Sequence, residues 1–442
     1  MSAEMALDQH PATANRLLAL GRCGLATGLL TALIMTFQPF QLISTATEDA
    51  GNAINQLGYS ALAAIALLGH LLFADRRVTL TLLRPTWLLM GLCLVLSAVH
   101  SMWPDQAIRA ALFTITAMVA ATGAATLPPD ARSFRWCLAI AALAVLGLSY
   151  VGVVALPNVA IHQAWEQESQ HAGLWRGIYS HKNVAAPIMA ALFFCGVYLV
   201  RSRQRLPGLL IVILSGFFVY KTGSKTTIAL LPAVAGLVFM TRAFGSRLLP
   251  VVVLSLTLIG MALFTIGTVI SPTLDGVVQA ISPGTTFTGR TDLWRFALDL
   301  WQGHHWTGFG FQSFWQSPLM LHADPRIELS WDPAGSVNGH DGYLDIALML
   351  GWPGLAIAVL MLVVQPFRDY VRCANAEENR RAADLWLMIL AFMLMNAFME
   401  SFFFARGNPI WMLTFLAIVE LRLLARHPIE AETAAAGRQD QA

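Results

Sequence analysis

Apolar runs of about twenty residues recur along almost the whole chain, each closed by a short polar or basic connection. A bilayer span takes about 20 mostly apolar residues, with about 17–25 as the usual range. On that scale the pattern predicts twelve spans, at 23–43, 57–74, 86–102, 107–126, 135–156, 183–200, 206–221, 225–241, 248–270, 341–365, 384–403 and 408–425. Between the ninth and the tenth, residues 271–340 are too polar to cross a membrane. The expected fold is an all-α polytopic membrane protein with one large loop, containing short helices, between spans 9 and 10. A loop of that length in an otherwise membrane-filling chain is usually functional. Pro85, Pro187, Pro207, Pro232, Pro353 and Pro409 fall at or inside span ends, where freed backbone groups need other partners.

Composition removes the other fold classes. The chain is 56% hydrophobic and 12% charged, whereas soluble domains carry about 25% charged residues. The net charge of +2 gives no support to a nucleic-acid partner. Cys23, Cys93, Cys137, Cys195 and Cys373 stand singly, with no CxxC or Cys/His cluster, so neither a disulfide framework nor a structural zinc site is indicated. The start of the chain has no cleavable signal pattern.

Lysine and arginine bias sets the orientation. With the N-terminus in the cytoplasm, 19 of the 28 basic residues fall on the cytoplasmic side. Residues 1–22 are then a cytoplasmic segment, 23–270 spans one to nine, 271–340 a periplasmic loop, 341–425 spans ten to twelve and 426–442 a disordered cytoplasmic tail. Nine cations remain outside, against the bias: Arg109, Arg176, Lys182, Lys221, Lys225, Arg290, Arg295, Arg326 and Arg406.

Several of these sit in motifs with chemical content. Lys221 and Lys225 bracket a tight connection whose Ser224, Thr226 and Thr227 suit phosphate oxygens; snorkelling lysines are the plainer reading. His181-Lys182-Asn183 opens the sixth span, where helix N–H groups attract anions, or where Asn183 simply caps the helix. Thr288-Gly289-Arg290 begins a run with Leu293, Trp294, Ala297, Leu298 and Trp301 on one face, capped by Thr288 or Thr291. Arg290 there adds to the positive helix end, which favours an anionic partner; a pair with Asp292 or a glutamate is the alternative. Asn338-Gly339-His340 leads into the tenth span. A helix start disfavours the imidazolium, so His340 suits a general base, or it is an N-terminal cap beside solvated carboxylates. Asp341 and Asp345, four apart on one face, either orient the histidine or bind an acceptor sugar hydroxyl. The loop's Trp294, Trp301, Trp306, Trp315 and Trp331, with Phe309, Phe311 and Phe314, suit sugar faces, an interfacial belt or the loop's own core.

In order and spacing these segments resemble the O-antigen ligase and Wzy-type polysaccharide polymerase superfamily, with the closest likeness to its exopolysaccharide-polymerase branch. The likeness rests on Gly177 to Asn183, Ser224-Lys225-Thr226, Thr288 to Trp294, Gly308-Phe309-Gly310-Phe311 and His340 to Asp345. It covers roughly residues 170 to 420; the first five spans match only in being hydrophobic. The resemblance implies a metal-independent, inverting glycosyltransferase of the bacterial inner membrane, without cofactor, whose active site faces the periplasm. Its donor would be an undecaprenyl-diphosphate-linked oligosaccharide, and its acceptor another glycan or lipid A–core, with polysaccharide-export proteins as partners. Arg290 corresponds to the family's diphosphate arginine and His340 to its loop-end histidine. Lys225 stands where many ligases have arginine, keeping the charge without the bidentate fork. Asp341 often corresponds to asparagine. Lys182 and Arg176 are the expected helpers at the diphosphate. Polymerisation of repeat units is the leading expectation, with ligation to lipid A–core as the alternative and a lipid-linked glycan flippase as the alternative of another class.

Overall fold

A computed structural model describes residues 9–41, 53–166, 168–287, 289–315, 317–322 and 335–429. Thr288, Arg326, Trp331 and most of the expected C-terminal tail lie outside the described residues. The described chain is helical. It runs α1 (Gln9–Met35), α2 (Ala53–Phe73), α3 (Arg76–Leu82), α4 (Pro85–Val99), α5 (Pro104–Thr126), α6 (Ala131–Ala155), α7 (Lys182–Arg201), α8 (Arg205–Thr222), α9 (Lys225–Phe244), α10 (Leu248–Phe264), α11 (Pro272–Ile281), α12 (Arg290–Trp301), α13 (Gly342–Val359), α14 (Gln365–Arg372), α15 (Glu377–Asn396) and α16 (Pro409–Arg426). A π-helical stretch, Leu360–Val364, joins α13 to α14 into one long span. The protein is an all-α polytopic membrane protein.

A helix stands at each of the twelve expected places, but among the described residues eight are long and apolar enough to be candidate spans, or nine if the bent pair α3–α4 is one. The difference has physical causes. In α15 and α16 the cause is the charge that both helices carry. Part of that charge is paired inside protein: Asp384 of α15 pairs with Arg201 at 2.8 Å and accepts from the Tyr370 hydroxyl at 3.1 Å, and Arg422 of α16 approaches Asp369 at 3.7 Å. Polar groups are tolerated at membrane depth when they face partners and not lipid. The first span also sits earlier than expected, at Asn15–Met35 and not 23–43. Arg22 is accommodated within it by donating to the Leu127 carbonyl at 2.9 Å and lying over the Phe73 ring. The eleventh was expected to run to 403, but α15 ends at Asn396 and an irregular, mostly buried segment fills 397–408.

α7, α15 and α16 form the centre, buried along most of their length. Outer helices present Leu71, Leu72, Ile213, Leu256 and Ile259 to the surroundings, as lipid contact requires. Lipid is as apolar as leucine, so helices associate through close packing at small residues. α7 meets α8 at Gly196 and Gly208, where an added Cβ would lie 2.8 Å from the Gly208 carbonyl and 2.7 Å from the Val200 nitrogen respectively.

One device positions the long loop. α13 is broken at Gly351, whose φ of 66° and ψ of −173° are not helical. The break frees the carbonyls of Leu348 and Met349, which accept from Phe309 at 2.8 Å and Gly310 at 3.1 Å. Trp352 donates in return to the His305 carbonyl at 2.7 Å. The Gly308-Phe309-Gly310-Phe311 motif is therefore a clamp: glycine at 308 and 310 supplies positive φ and close backbone approach. Trp294, Phe296, Ala297 and Trp301 of α12 then pack with Phe314, Met320, Leu344 and Leu348 in a small core of their own. These loop aromatics are core, leaving Trp306 as the exposed tryptophan among the described ones of the set.

Candidate functional site

α12 starts after Gly289, which takes the left-handed conformation (φ 83°) and donates to the Thr286 hydroxyl at 3.0 Å. Thr291 gives no side-chain cap; its hydroxyl accompanies the Thr286 carbonyl at 3.4 Å. Arg290 is thus the first helical residue. Its guanidinium reaches Glu400 Oε1 at 3.3 Å and the Met399 sulfur at 3.3 Å.

His340 reaches the same carboxylate from the other side, its Nδ1 3.5 Å from Glu400 Oε2. The residue is held in a left-handed conformation (φ 50°), which side chains rarely adopt and which a surrounding structure has to impose. Four hydrogen bonds impose it here. His340 N donates to Asn338 Oδ1 at 3.0 Å, Trp294 Nε1 to the Gly339 carbonyl at 2.7 Å, Gly339 N to Asp345 Oδ1 at 3.1 Å, and Trp315 Nε1 to the same oxygen at 2.7 Å. A Cβ on Gly339 would stand 2.7 Å from that carboxylate oxygen. Trp294 couples the two chemical residues directly, since it belongs to the helix that Arg290 begins.

Asp341 and Asp345 are not solvated. Asp341 caps α13, accepting from Tyr343 and Leu344 at 3.0 and 2.9 Å. Both side chains are buried behind the His340 turn. Asp341 Oδ1 and both Asp345 oxygens accept from backbone or indole N–H groups, so as placed these two side chains support the His340 turn.

Glu400 is the residue that the sequence reading missed. It lies in the 397–408 segment, which is wedged by Phe398, Phe402, Phe403 and Phe404 and tied by Gly342 N donating to the Ala397 carbonyl at 2.7 Å. Its Oε1 also accepts from Asn183 Nδ2 at 2.9 Å. A signal was present: a lone carboxylate in the apolar run Phe398 to Phe404 is expensive in a membrane and marks function by default.

Asn183 brings the α7 start to the site. Asn183 is not the cap. His181 is the N-cap, its Nδ1 accepting from Asn183 N at 3.1 Å, and His162 Nε2 accepts from Lys182 N at 3.2 Å. Burial holds the His162 imidazole down to about 4, so it accepts as the neutral ring. The helix N–H groups expected to attract an anion are therefore taken, and what α7 offers is the Lys182 ammonium. Lys225 opens α9 behind its Ser224 cap. Neither lysine forms an ion pair among the described residues. Lys221 instead lies over the Trp175 ring at 5.5 Å. Arg176 is removed from the set of anion-binding cations. It is buried, donates to the Val159 carbonyl, and forks onto Glu166 at 2.7 and 3.1 Å, so it anchors the 156–181 loop.

Arg290, His340 and Glu400 have side chains between 14% and 22% exposed, so the cluster is reachable from the loop face. A cavity of about 460 Å³ lies elsewhere, walled by Leu248, Val251, Val363, Phe367, Arg368 and Arg372, and contains none of these residues.

The O-antigen ligase family model matches residues 210–359. Over that stretch, the chain is similar to the O-antigen ligase family. The match covers about one third of the chain and includes Lys225, Arg290, His340, Asp341 and Asp345; Lys182, Asn183 and Glu400 lie outside it. No curated protein matches the chain.

Proposed function

We propose that the protein transfers a glycan from an undecaprenyl-diphosphate-linked donor to an acceptor sugar hydroxyl on the periplasmic side of the bacterial inner membrane. The observation that carries this reading is the convergence of Arg290 and His340 on one carboxylate, within electrostatic reach of the Lys182 ammonium, which forms no ion pair among the described residues. Lys182 interacts electrostatically with Glu168, Glu400 and Lys225, so with Arg290 the cations outnumber the carboxylates, which suits a diphosphate.

In the proposed reaction the acceptor oxygen attacks the anomeric carbon as the bond to the diphosphate oxygen breaks. Configuration inverts, and undecaprenyl diphosphate leaves. Negative charge grows on the leaving oxygen, so fixed cations stabilise the transition state more than the ground state. Arg290 is assigned to that oxygen, with Lys225 and Lys182 on the diphosphate. His340 Nε2 takes the acceptor proton, while Glu400 orients the ring through Nδ1 and stabilises the imidazolium that forms. The side-chain cations supply the charge that a divalent ion would otherwise bring, so activity is expected to survive a chelator.

The assigned acceptor is a second lipid-linked repeat unit, supported by the motif set shared with exopolysaccharide polymerases. The family model's own description favours lipid A–core as the second reading. Purified protein incubated with lipid-linked repeat units alone, with and without EDTA, separates them. Chain growth in both samples is the expected result. An inert donor that reacts only after lipid A–core is added selects ligation, and activity restored only by magnesium contradicts the metal-independent mechanism.

A further inference from the structure

The 156–181 loop brings together groups that glycan transfer does not use. His162 N donates to the Leu174 carbonyl at 2.9 Å and Gly173 N to the His162 carbonyl at 2.8 Å, closing a hairpin with the Ile161–Trp175 bridge. The hairpin carries Glu168 and His171 on one short turn and sets them against His181 at the start of α7. Glu168 Oε2 lies 2.8 Å from His181 Nε2 and 3.7 Å from His171 Nε2, and one donor atom from each residue falls within 4.8 Å of the others.

Donors held about 2.0–2.2 Å from a tetrahedral zinc ion stand roughly 3.4 Å apart, so the observed separations bracket what the ion needs. Two imidazoles and a carboxylate favour a zinc-class ion over calcium or magnesium. Glu168 is 53% exposed, which leaves an entry path and an open coordination position. His162 is not a ligand: Nδ1 is turned to Glu166 at 2.9 Å and Nε2 to the Lys182 N–H.

We propose that Glu168, His171 and His181 form a zinc-class metal site, and that filling it uncaps the helix that presents Lys182 and Asn183 to the reaction centre. The coupling follows from the His181 tautomer. Its Nδ1 accepts from Asn183 N, so its proton sits on Nε2 and points at Glu168. A metal on Nε2 displaces that proton, and the neutral ring then carries one on Nδ1. Nδ1 no longer accepts, and the bond to Asn183 N is lost. Asn183 is the residue whose side chain holds Glu400. The ion therefore acts beside the reaction and lowers its rate.

Zinc retention tests the site. Full-length protein in detergent, with any affinity tag removed, is stripped with chelator, equilibrated with zinc chloride and desalted. Wild type is expected to keep one more zinc per chain than His171→Ala, with at least tenfold tighter binding by calorimetry. Among the described residues, His171 makes its one ion pair with Glu168, so the variant keeps the fold, checked by thermal unfolding. Equal retention by both proteins overturns the site. The uncapping half rests on the glycan-transfer reading: saturating zinc should lower transfer several-fold in wild type and leave His171→Ala unchanged. Equal inhibition, or none in either protein, overturns it. Retention is measured without substrate, so it fails or stands apart from the transfer reading.

Discussion

Arg290 and His340 share Glu400, at 3.3 and 3.5 Å. On the proposed reading, a diphosphate near Arg290 would compete with Glu400 for the guanidinium and leave the carboxylate to His340. Glu400→Gln keeps the shape and the Asn183 contact but removes the charge that stabilises an imidazolium. It is expected to lower kcat by about 10²–10⁴, the range of acid–base catalysis, with KM little changed; a change confined to KM contradicts the assignment. Arg290→Lys keeps the charge and loses the fork, so transfer should fall by about 10²–10³, as on loss of one transition-state donor. At this scale the sequence marked Arg290, His340, Lys182 and Lys225 as unusual, because each breaks a rule of charge placement. It also put Arg176 forward as a helper, since nothing local reveals that Glu166, ten residues earlier, closes onto it. Asp341 and Asp345 drew attention for a spacing that turns out to serve the His340 turn.

At the scale of elements, the site stands on α12, the 338–340 turn, the α7 start and the 397–408 segment. Gly339 is the narrowest point of the turn, with Trp315 and Asp345 pressed against its Cα. Gly339→Ala should destabilise by about 1–3 kcal/mol through overpacking, and transfer should fall further than the loss of folded protein explains. Thermal unfolding and specific activity measured together check this; an active, equally stable variant would show that the turn has slack. The helix at Arg290 was legible from its apolar face, and four of five expected positions are buried, with Leu298 partly so. The break in α13 was not. Pro353 marked freed backbone groups near that point, but the break itself is at Gly351, where the loop docks, and a window of local sequence holds no information about that partner.

At the scale of the molecule, ion pairs tie together helices that are distant in sequence. Arg84 meets Asp369 at 2.5 Å, Arg422 approaches the same carboxylate at 3.7 Å, and Arg135 meets Glu378 at 3.2 Å. Breaking a buried pair by removing one partner costs about 3–5 kcal/mol. Asp369→Ala should therefore lower Tm sharply while leaving the rate per folded molecule intact; loss of rate at unchanged Tm would contradict a purely structural role. The same arginines produced the sidedness expected from sequence. Val337, exposed beside the His340 turn, offers a test of it: Val337→Cys should react with a membrane-impermeant maleimide added outside spheroplasts, and labelling only after lysis would reverse the orientation. The membrane class was plain from hydropathy. The count of spans was less so, because α15 and α16 hide charge among neighbours that are distant in sequence. On the proposed reading, Arg290 and His340 act on one lipid diphosphate. Release of undecaprenyl diphosphate from lipid-linked repeat units by purified wild type, Arg290→Ala and His340→Ala tests this without reference to the acceptor. Wild type is expected to release it and each variant to lose at least a hundredfold; release at the wild-type rate by either variant would rule the shared site out.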